Sequence, residues 1–285
     1  MRLKSGLLIG IFGLIVVLLG GWYFTVAIAL LTYLALLEFF KMAESTGIKP
    51  ATKTTLFSCF VIIVTTYLET LGMLNREISV AVLPLCSVGI CTWLLLQPKS
   101  GTIADIAASI FGLFYLGLLP SYWIKLRALE SAAINSSNGL TSFENLSNSS
   151  GLLLTLTSCL LIVASDIGSY FIGKSFGKKS LSPISPGKTI EGLFGGISCS
   201  VLLAIFFAFL LSWENPFLVG ISFGILISLM ALVGDLIESM MKRDAKIKDS
   251  GNFLPGHGGI LDRIDSYIFT PSVIYYIIII IKYFN

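Results

Sequence analysis

The chain has 285 residues, of which 55% are hydrophobic and 12% charged, with a formal net charge of +3. Soluble domains carry about 25% charged residues, so this composition, with a mean hydropathy of +0.90, excludes a soluble globular class and points to a polytopic membrane protein. The net charge is unremarkable and no nucleic-acid partner is expected; the distribution of charge is more informative than its total.

Nine apolar segments are candidates to cross a hydrocarbon layer of about 30 Å as helices: 6–19, 22–40, 55–71, 78–96, 102–124, 151–171, 189–213, 217–241 and 263–284. The expected fold is all-α, a polytopic membrane bundle of about nine helices. The first segment follows Arg2 and Lys4 like a signal-peptide core. No small-x-small cleavage site follows it, and the second segment begins almost at once, so a retained helical hairpin is expected. Segment 128–150 is rich in Asn and Ser and reads as a flexible external loop; the sequons at Asn135, Asn145 and Asn148 fit ordinary loop composition. Cys59, Cys86, Cys91, Cys159 and Cys199 lie in apolar stretches without a C-x-x-C pair and read as small buried hydrophobes. The expected organisation is an N-terminal membrane region of about five spans over 1–125, an external polar loop over 126–150, and a C-terminal catalytic membrane region over 151–285 with cytoplasmic loops at 172–188 and 242–262.

Basic residues orient the bundle. With nine spans and the N-terminus inside, fifteen of the nineteen Lys and Arg residues fall on the cytoplasmic side. Arg76, Lys125, Arg127 and Lys282 fall on the other. An eight-span arrangement breaks this separation.

Six of the sixteen acidic residues lie between 235 and 265. At 100° per residue, Asp235, Glu238, Ser239, Lys242 and Lys246 share one stripe of the eighth segment, and Leu236, Ile237, Met240 and Met241 cover the remaining arc. A helix over 217–241 is about 37 Å long, so its last turns reach the membrane interface. Beyond it come Lys248-Asp249-Ser250-Gly251 and Pro255-Gly256-His257-Gly258-Gly259. Glycines allow positive φ and close backbone approach, and successive free N–H groups in such a loop can bind phosphate oxygens. Asp262 and Asp265 then fall one helical turn apart; capping alone explains one of them. One histidine and no cysteine cluster disfavour zinc, whereas clustered Asp oxygens near phosphates suit Mg²⁺.

A second polar stretch runs from Asp166 to Gly196. Gly187-Lys188-Thr189 resembles the end of a P-loop, but Ser182 stands where the earlier glycine is required, so no Walker A motif is present. What remains is a basic, Pro-punctuated loop with Lys178, Lys179 and Lys188, opening at Thr189 into a helix. There Glu191 precedes Gly192 and Gly196, and glycines favour close helix packing.

Ser239, Lys242-Arg243, Lys248-Asp249, Pro255 to Gly259 and Asp262-Arg263-Ile264-Asp265 together resemble the signature of the phosphatidate cytidylyltransferases, or CDP-diacylglycerol synthases. Asp166, Pro186-Gly187-Lys188-Thr189 and Glu191-Gly192 also resemble that family, and the specific match covers 166–266. The resemblance implies synthesis of CDP-diacylglycerol and pyrophosphate from CTP and phosphatidic acid with Mg²⁺. It implies Asp235 and Asp262 as metal ligands, with Asp265 as a further candidate. Asp235, Asp262, Lys242 and Arg263 form the catalytic set. Lys188, Ser239, Arg243, Lys248, His257, Gly258 and Gly259 form the substrate-binding set. A cell (inner) membrane location with the site facing the cytoplasm follows, and a homodimer is kept open. Two other readings remain on the residues alone: a CTP-dependent polyprenol or lipid kinase, and an ion or solute transporter using Asp166, Asp235 and Glu238 as a relay.

Overall fold

In the computed structural model the described residues are 2–97, 101–129, 150–213, 215–251 and 258–284. The polar stretch 130–149 with its sequons, and Pro255, Gly256 and His257, lie outside them. The described residues are helical almost throughout, with one isolated antiparallel bridge, Ser180 to Thr189. The helices are α1 Arg2–Leu19, α2 Gly21–Ser45, α3 Thr52–Thr70, α4 Arg76–Leu95 and α5 Ile103–Arg127, followed by α6 Gly151–Phe176, α7 Ile190–Leu210, α8 Pro216–Asp244, α9 Leu261–Ile268 and α10 Thr270–Phe284. Each expected apolar segment became a helix or, for the last, a helix pair. Among the described residues seven stretches are long and apolar enough to cross a membrane: α2, α4, α5, α6, α7, α8 and the combined run Leu261–Ile281. Of the two other expected spans, α1 contributes a shorter apolar stretch, Gly10–Leu19; α3 is diluted by Thr54, Thr55, Ser58, Thr65 and Thr66. Large apolar side chains such as Phe57, Val80, Leu95, Leu202, Phe206 and Phe217 stand exposed, as lipid-facing residues must. The all-α polytopic class therefore holds. Only Cys59 is fully buried, Cys91 is exposed, and none of the cysteines forms a disulfide.

The chain forms two compact units: Met1–Lys125 with Met241–Ile268, and Leu126–Met240 with Phe269–Asn285. The described residues of 241–268, with Lys242, Ser250 and Asp262, fall in the same unit as the N-terminal helices.

In the first unit α2 packs against α3, α5 and α9, around buried Leu36, Phe40, Ile63, Leu113, Tyr115 and Leu116. Thr102 and Asp105 form a reciprocal capping box that starts α5. Asp105 also accepts the Lys49 N–H at 2.6 Å, and Ser109 accepts that of Ala51 at 2.9 Å, which fixes the α2–α3 loop. Within α5, residues Leu113–Leu118 form a π-helical turn. Lys125 reaches Glu69 of α3 at 2.8 Å. The break between α9 and α10 follows from Pro271, which has no N–H to offer the carbonyl four residues back. That carbonyl, of Tyr267, accepts the Trp123 indole N–H at 3.0 Å instead.

In the second unit α6 and α7 pack at close range because the facing residues are small. A Cβ added at Gly192 would lie 2.9 Å from the Ser169 carbonyl, and one at Gly195 would lie 2.9 Å from that of Gly168. The glycine packing read from Gly192 and Gly196 is thus present. Ser165 on α6 and Ser228 on α8 share a buried hydrogen bond of 2.7 Å, and the Ser200 hydroxyl donates to the Gly224 carbonyl at 3.0 Å.

Candidate active site

The loop 177–189 is a tight return. Leu181 N–H donates to the Lys188 carbonyl at 2.7 Å and Ile190 N–H to that of Lys179 at 3.0 Å. Glu191 accepts the Lys178 and Lys179 amides at 3.1 and 3.4 Å. Thr189 caps α7 by accepting the Gly192 N–H at 3.0 Å. Glu191 and Thr189 therefore serve the loop's own geometry. The loop presents the Lys188 ammonium to Asp235 on α8, and the two form an ion pair. Asp166 on α6 interacts electrostatically with both. Asp166 thus adds a second carboxylate charge to the surroundings of this pair within the second unit.

Helix α8 ends at Asp244 in a Schellman motif. Lys246 N–H donates to the Arg243 carbonyl at 3.1 Å, Ile247 N–H donates to the Lys242 carbonyl at 3.0 Å, and Lys246 has φ 55°. Lys246 therefore leaves the stripe on which it was expected, because the helix stops two residues before it. Asp235, Glu238, Ser239 and Lys242 remain helical; Glu238 is buried.

In the first unit Lys242 donates to Asp262 Oδ1 at 2.7 Å. Asp262 Oδ2 accepts the Ser250 N–H at 2.9 Å, the Gly259 N–H at 2.9 Å and approach of the Ser250 hydroxyl at 3.0 Å. Behind them stands Glu38 of α2, buried at 7% exposure. It accepts the Ile260 and Leu261 N–H groups at 2.9 Å each and the Ser250 hydroxyl at 2.9 Å. The N–H groups of Ser250, Gly259, Ile260 and Leu261 are thus engaged by carboxylates. This described part of the loop does not offer them as the row of free phosphate donors that its glycines led one to expect. Gly258 has φ +80°, and a Cβ on it would lie 2.9 Å from Asp262 Oδ2; one on Gly259 would strike Ser250 Oγ and Glu38 Oε2.

The remaining sequence-predicted residues are less converged. Arg243, Lys248 and Arg263 are exposed, and Ser239 is half-buried. Asp265 is buried and accepts the Ser266 N–H at 2.8 Å. Sequence reasoning missed Glu38, although an acidic residue between Leu37 and Phe39 in a candidate membrane helix is a functional signal by its cost alone. Asp166 was read only as the start of a motif and as a relay candidate.

The family model described as Cytidylyltransferase family matches residues 1–281. The chain belongs to this cytidylyltransferase family. Among similar members, the phosphatidate cytidylyltransferase of Synechocystis sp. is 45% identical over 273 residues, 93% of this chain and 91% of that protein. Phosphatidate cytidylyltransferase 4, chloroplastic, of Arabidopsis thaliana is 39% identical over 269 residues, 91% of this chain and 68% of that one. The Bacillus subtilis phosphatidate cytidylyltransferase is 30% identical over 281 residues, 97% of this chain and 96% of its own length. In this cytidylyltransferase the sequence-predicted residues build two lysine–aspartate pairs, Lys188 with Asp235 and Lys242 with Asp262.

Proposed function

We propose that this protein is an integral-membrane phosphatidate cytidylyltransferase that converts CTP and phosphatidic acid to CDP-diacylglycerol and pyrophosphate, supplying phospholipid biosynthesis. The observation that carries the reading is the match to phosphatidate cytidylyltransferases along nearly the whole chain. The two lysine–aspartate pairs supply fitting chemistry. A phosphatidate oxygen attacks the α-phosphorus of CTP, the new P–O bond forms, and the bond to pyrophosphate breaks. Nucleophile and electrophile are both anionic. Lys188 and Lys242 can turn from their aspartates to phosphate oxygens, and the exposed Arg243, Lys248 and Arg263 can add charge where it develops. Phosphatidate is already ionised near neutral pH, so no general base is required.

Mg²⁺ fits the residues present. Asp235 pairs with Lys188 and Asp166 adds a second carboxylate charge to that pair's surroundings, and Mg²⁺ is commonly held by one or two carboxylates together with substrate phosphates and water. Among the described residues no group of three or more acidic, His or Cys side chains gathers to hold a metal by itself. Asp235 is the first candidate ligand, and Asp262 and Asp265 are further ones. A bound Mg²⁺ would screen the repulsion between the phosphates and stabilise departing pyrophosphate.

The location proposed is the cell's inner membrane, with both basic loops in the cytosol where CTP is found. The deciding experiment supplies purified protein with labelled CTP, phosphatidate and Mg²⁺. CDP-diacylglycerol and pyrophosphate are expected in equal amounts. Absence of the lipid product, with phosphorylation of a polyprenol alcohol instead, would overturn the assignment in favour of a lipid kinase.

A further inference from the structure

The geometry points to Glu38, on the N-terminal helix α2, as a positioning residue that closes the signature loop and sets Asp262 for the reaction proposed above. This gives the N-terminal spans a part in the chemistry beyond anchoring.

The contacts are specific. One carboxylate takes the Ser250 hydroxyl at the loop's entrance and the Ile260 and Leu261 N–H groups at its exit. These last two are the residue just before α9 and its first residue, where backbone donors lack intrahelical partners and the helix dipole favours negative charge. Glu38 thus supplies from another helix what a cap normally supplies from within. The Ser250 hydroxyl hydrogen has two acceptors in range, Glu38 Oε2 at 2.9 Å and Asp262 Oδ2 at 3.0 Å. It therefore links the buried Glu38 to the carboxylate paired with Lys242.

Two glycines give independent support. A Cβ on Gly251 would lie 2.5 Å from Glu38 Oε1, and a Cβ on Gly259 would run into Glu38 Oε2. Neither has a positive φ. At Gly251 the need for glycine therefore comes from the space that the Glu38 carboxylate occupies, and at Gly259 from that carboxylate together with the Ser250 hydroxyl and the Gly251 amide it closes on, not from backbone conformation. A buried carboxylate is costly unless it is fully hydrogen-bonded, and the loop provides three donors.

The test compares Glu38→Gln, Glu38→Asp and Ser250→Ala with Glu44→Gln, whose side chain is exposed on the same helix. Full-length purified enzyme in lipid nanodiscs is assayed for kcat, for KM toward CTP and phosphatidate, and for backbone hydrogen exchange over 248–264. Glu38→Gln puts an amide NH₂ against one or more of the three donors. It is expected to lower kcat by about tenfold or more, to change either KM by less than about threefold, and to speed exchange in 248–264 alone. Glu38→Asp is expected to recover part of the lost kcat, since it keeps the charge with a shorter arm. Glu44→Gln is expected to match wild type. If Glu38→Gln does not yield folded protein, Ser250→Ala carries the test, with a kcat loss of several-fold and the same local exchange. Folded variants with wild-type kcat and unchanged exchange overturn the proposal. So does a kcat loss that tracks only the folded fraction. If wild type makes no CDP-diacylglycerol, the substrate assignment fails, while the exchange measurement still decides whether Glu38 holds the loop.

Discussion

Exchanging Asp262 for Asn removes one charge and leaves the size of the side chain unchanged. The structure makes the consequence calculable. Oδ1 holds the Lys242 ammonium at 2.7 Å, and Oδ2 faces the Ser250 and Gly259 amides and the Ser250 hydroxyl. An Asn has one oxygen for these two sides. If the oxygen stays with the loop donors, its NH₂ confronts the ammonium; turned about, the NH₂ confronts the loop. The Lys242 and Asp262 side chains are only 17% and 10% exposed, so solvent screens the loss poorly. A charge-assisted hydrogen bond of this kind contributes about 1.5–3 kcal/mol, or about 10- to 150-fold if the active loop geometry is populated in proportion. The assay is CDP-diacylglycerol synthesis at fixed Mg²⁺, with thermal unfolding in detergent, on Asp262→Asn, Lys242→Gln and the double variant. Activity of Asp262→Asn is expected to fall by at least about tenfold, and the stability cycle to show a coupling of about 1.5–3 kcal/mol. Asp244→Asn, exposed at the end of α8, is expected to stay within about twofold of wild type. Near-wild-type activity of Asp262→Asn at ordinary Mg²⁺, or a coupling below about 0.5 kcal/mol, would refute the reasoning.

Lys188→Gln leaves Asp235 without its ammonium partner; kcat/KM is expected to fall by about tenfold or more, and an unchanged value would remove Lys188 from the site. Gly195→Ala places a Cβ 2.6 Å from that of Ile172 and 2.9 Å from the Gly168 carbonyl. It is expected to destabilise the enzyme by about 1–3 kcal/mol, read as a lower melting temperature, and an unshifted melt would mean that α6 and α7 can separate freely. For orientation, in a background without the native cysteines, Ser180→Cys is expected to need permeabilised spheroplasts for labelling, whereas Met73→Cys labels in intact ones. Both side chains are exposed, so the reversed pattern would overturn the cytoplasmic placement.

Much of this protein is written locally. Lipid demands long apolar helices with satisfied backbones, so hydropathy alone located each helix to within a few residues, the helical stripe marked Asp235, and the family motifs marked Lys188, Lys242 and Asp262. Other features depend on neighbours remote in the sequence. The 3.6-residue period carried Lys246 along the Asp235 stripe, but the helix had already ended in its Schellman turn. Nothing local announces the π-helical turn at Leu113–Leu118, or that the Tyr267 carbonyl left without a donor by Pro271 finds Trp123. Which lysine meets which aspartate is a tertiary matter. Glu38 is the clearest case, since its partners lie 212 to 223 residues away. Helical periodicity is a property of neighbouring residues and can be read along the chain. The pairing of a buried carboxylate with a distant loop depends on which helix faces pack together, and only the folded chain decides that.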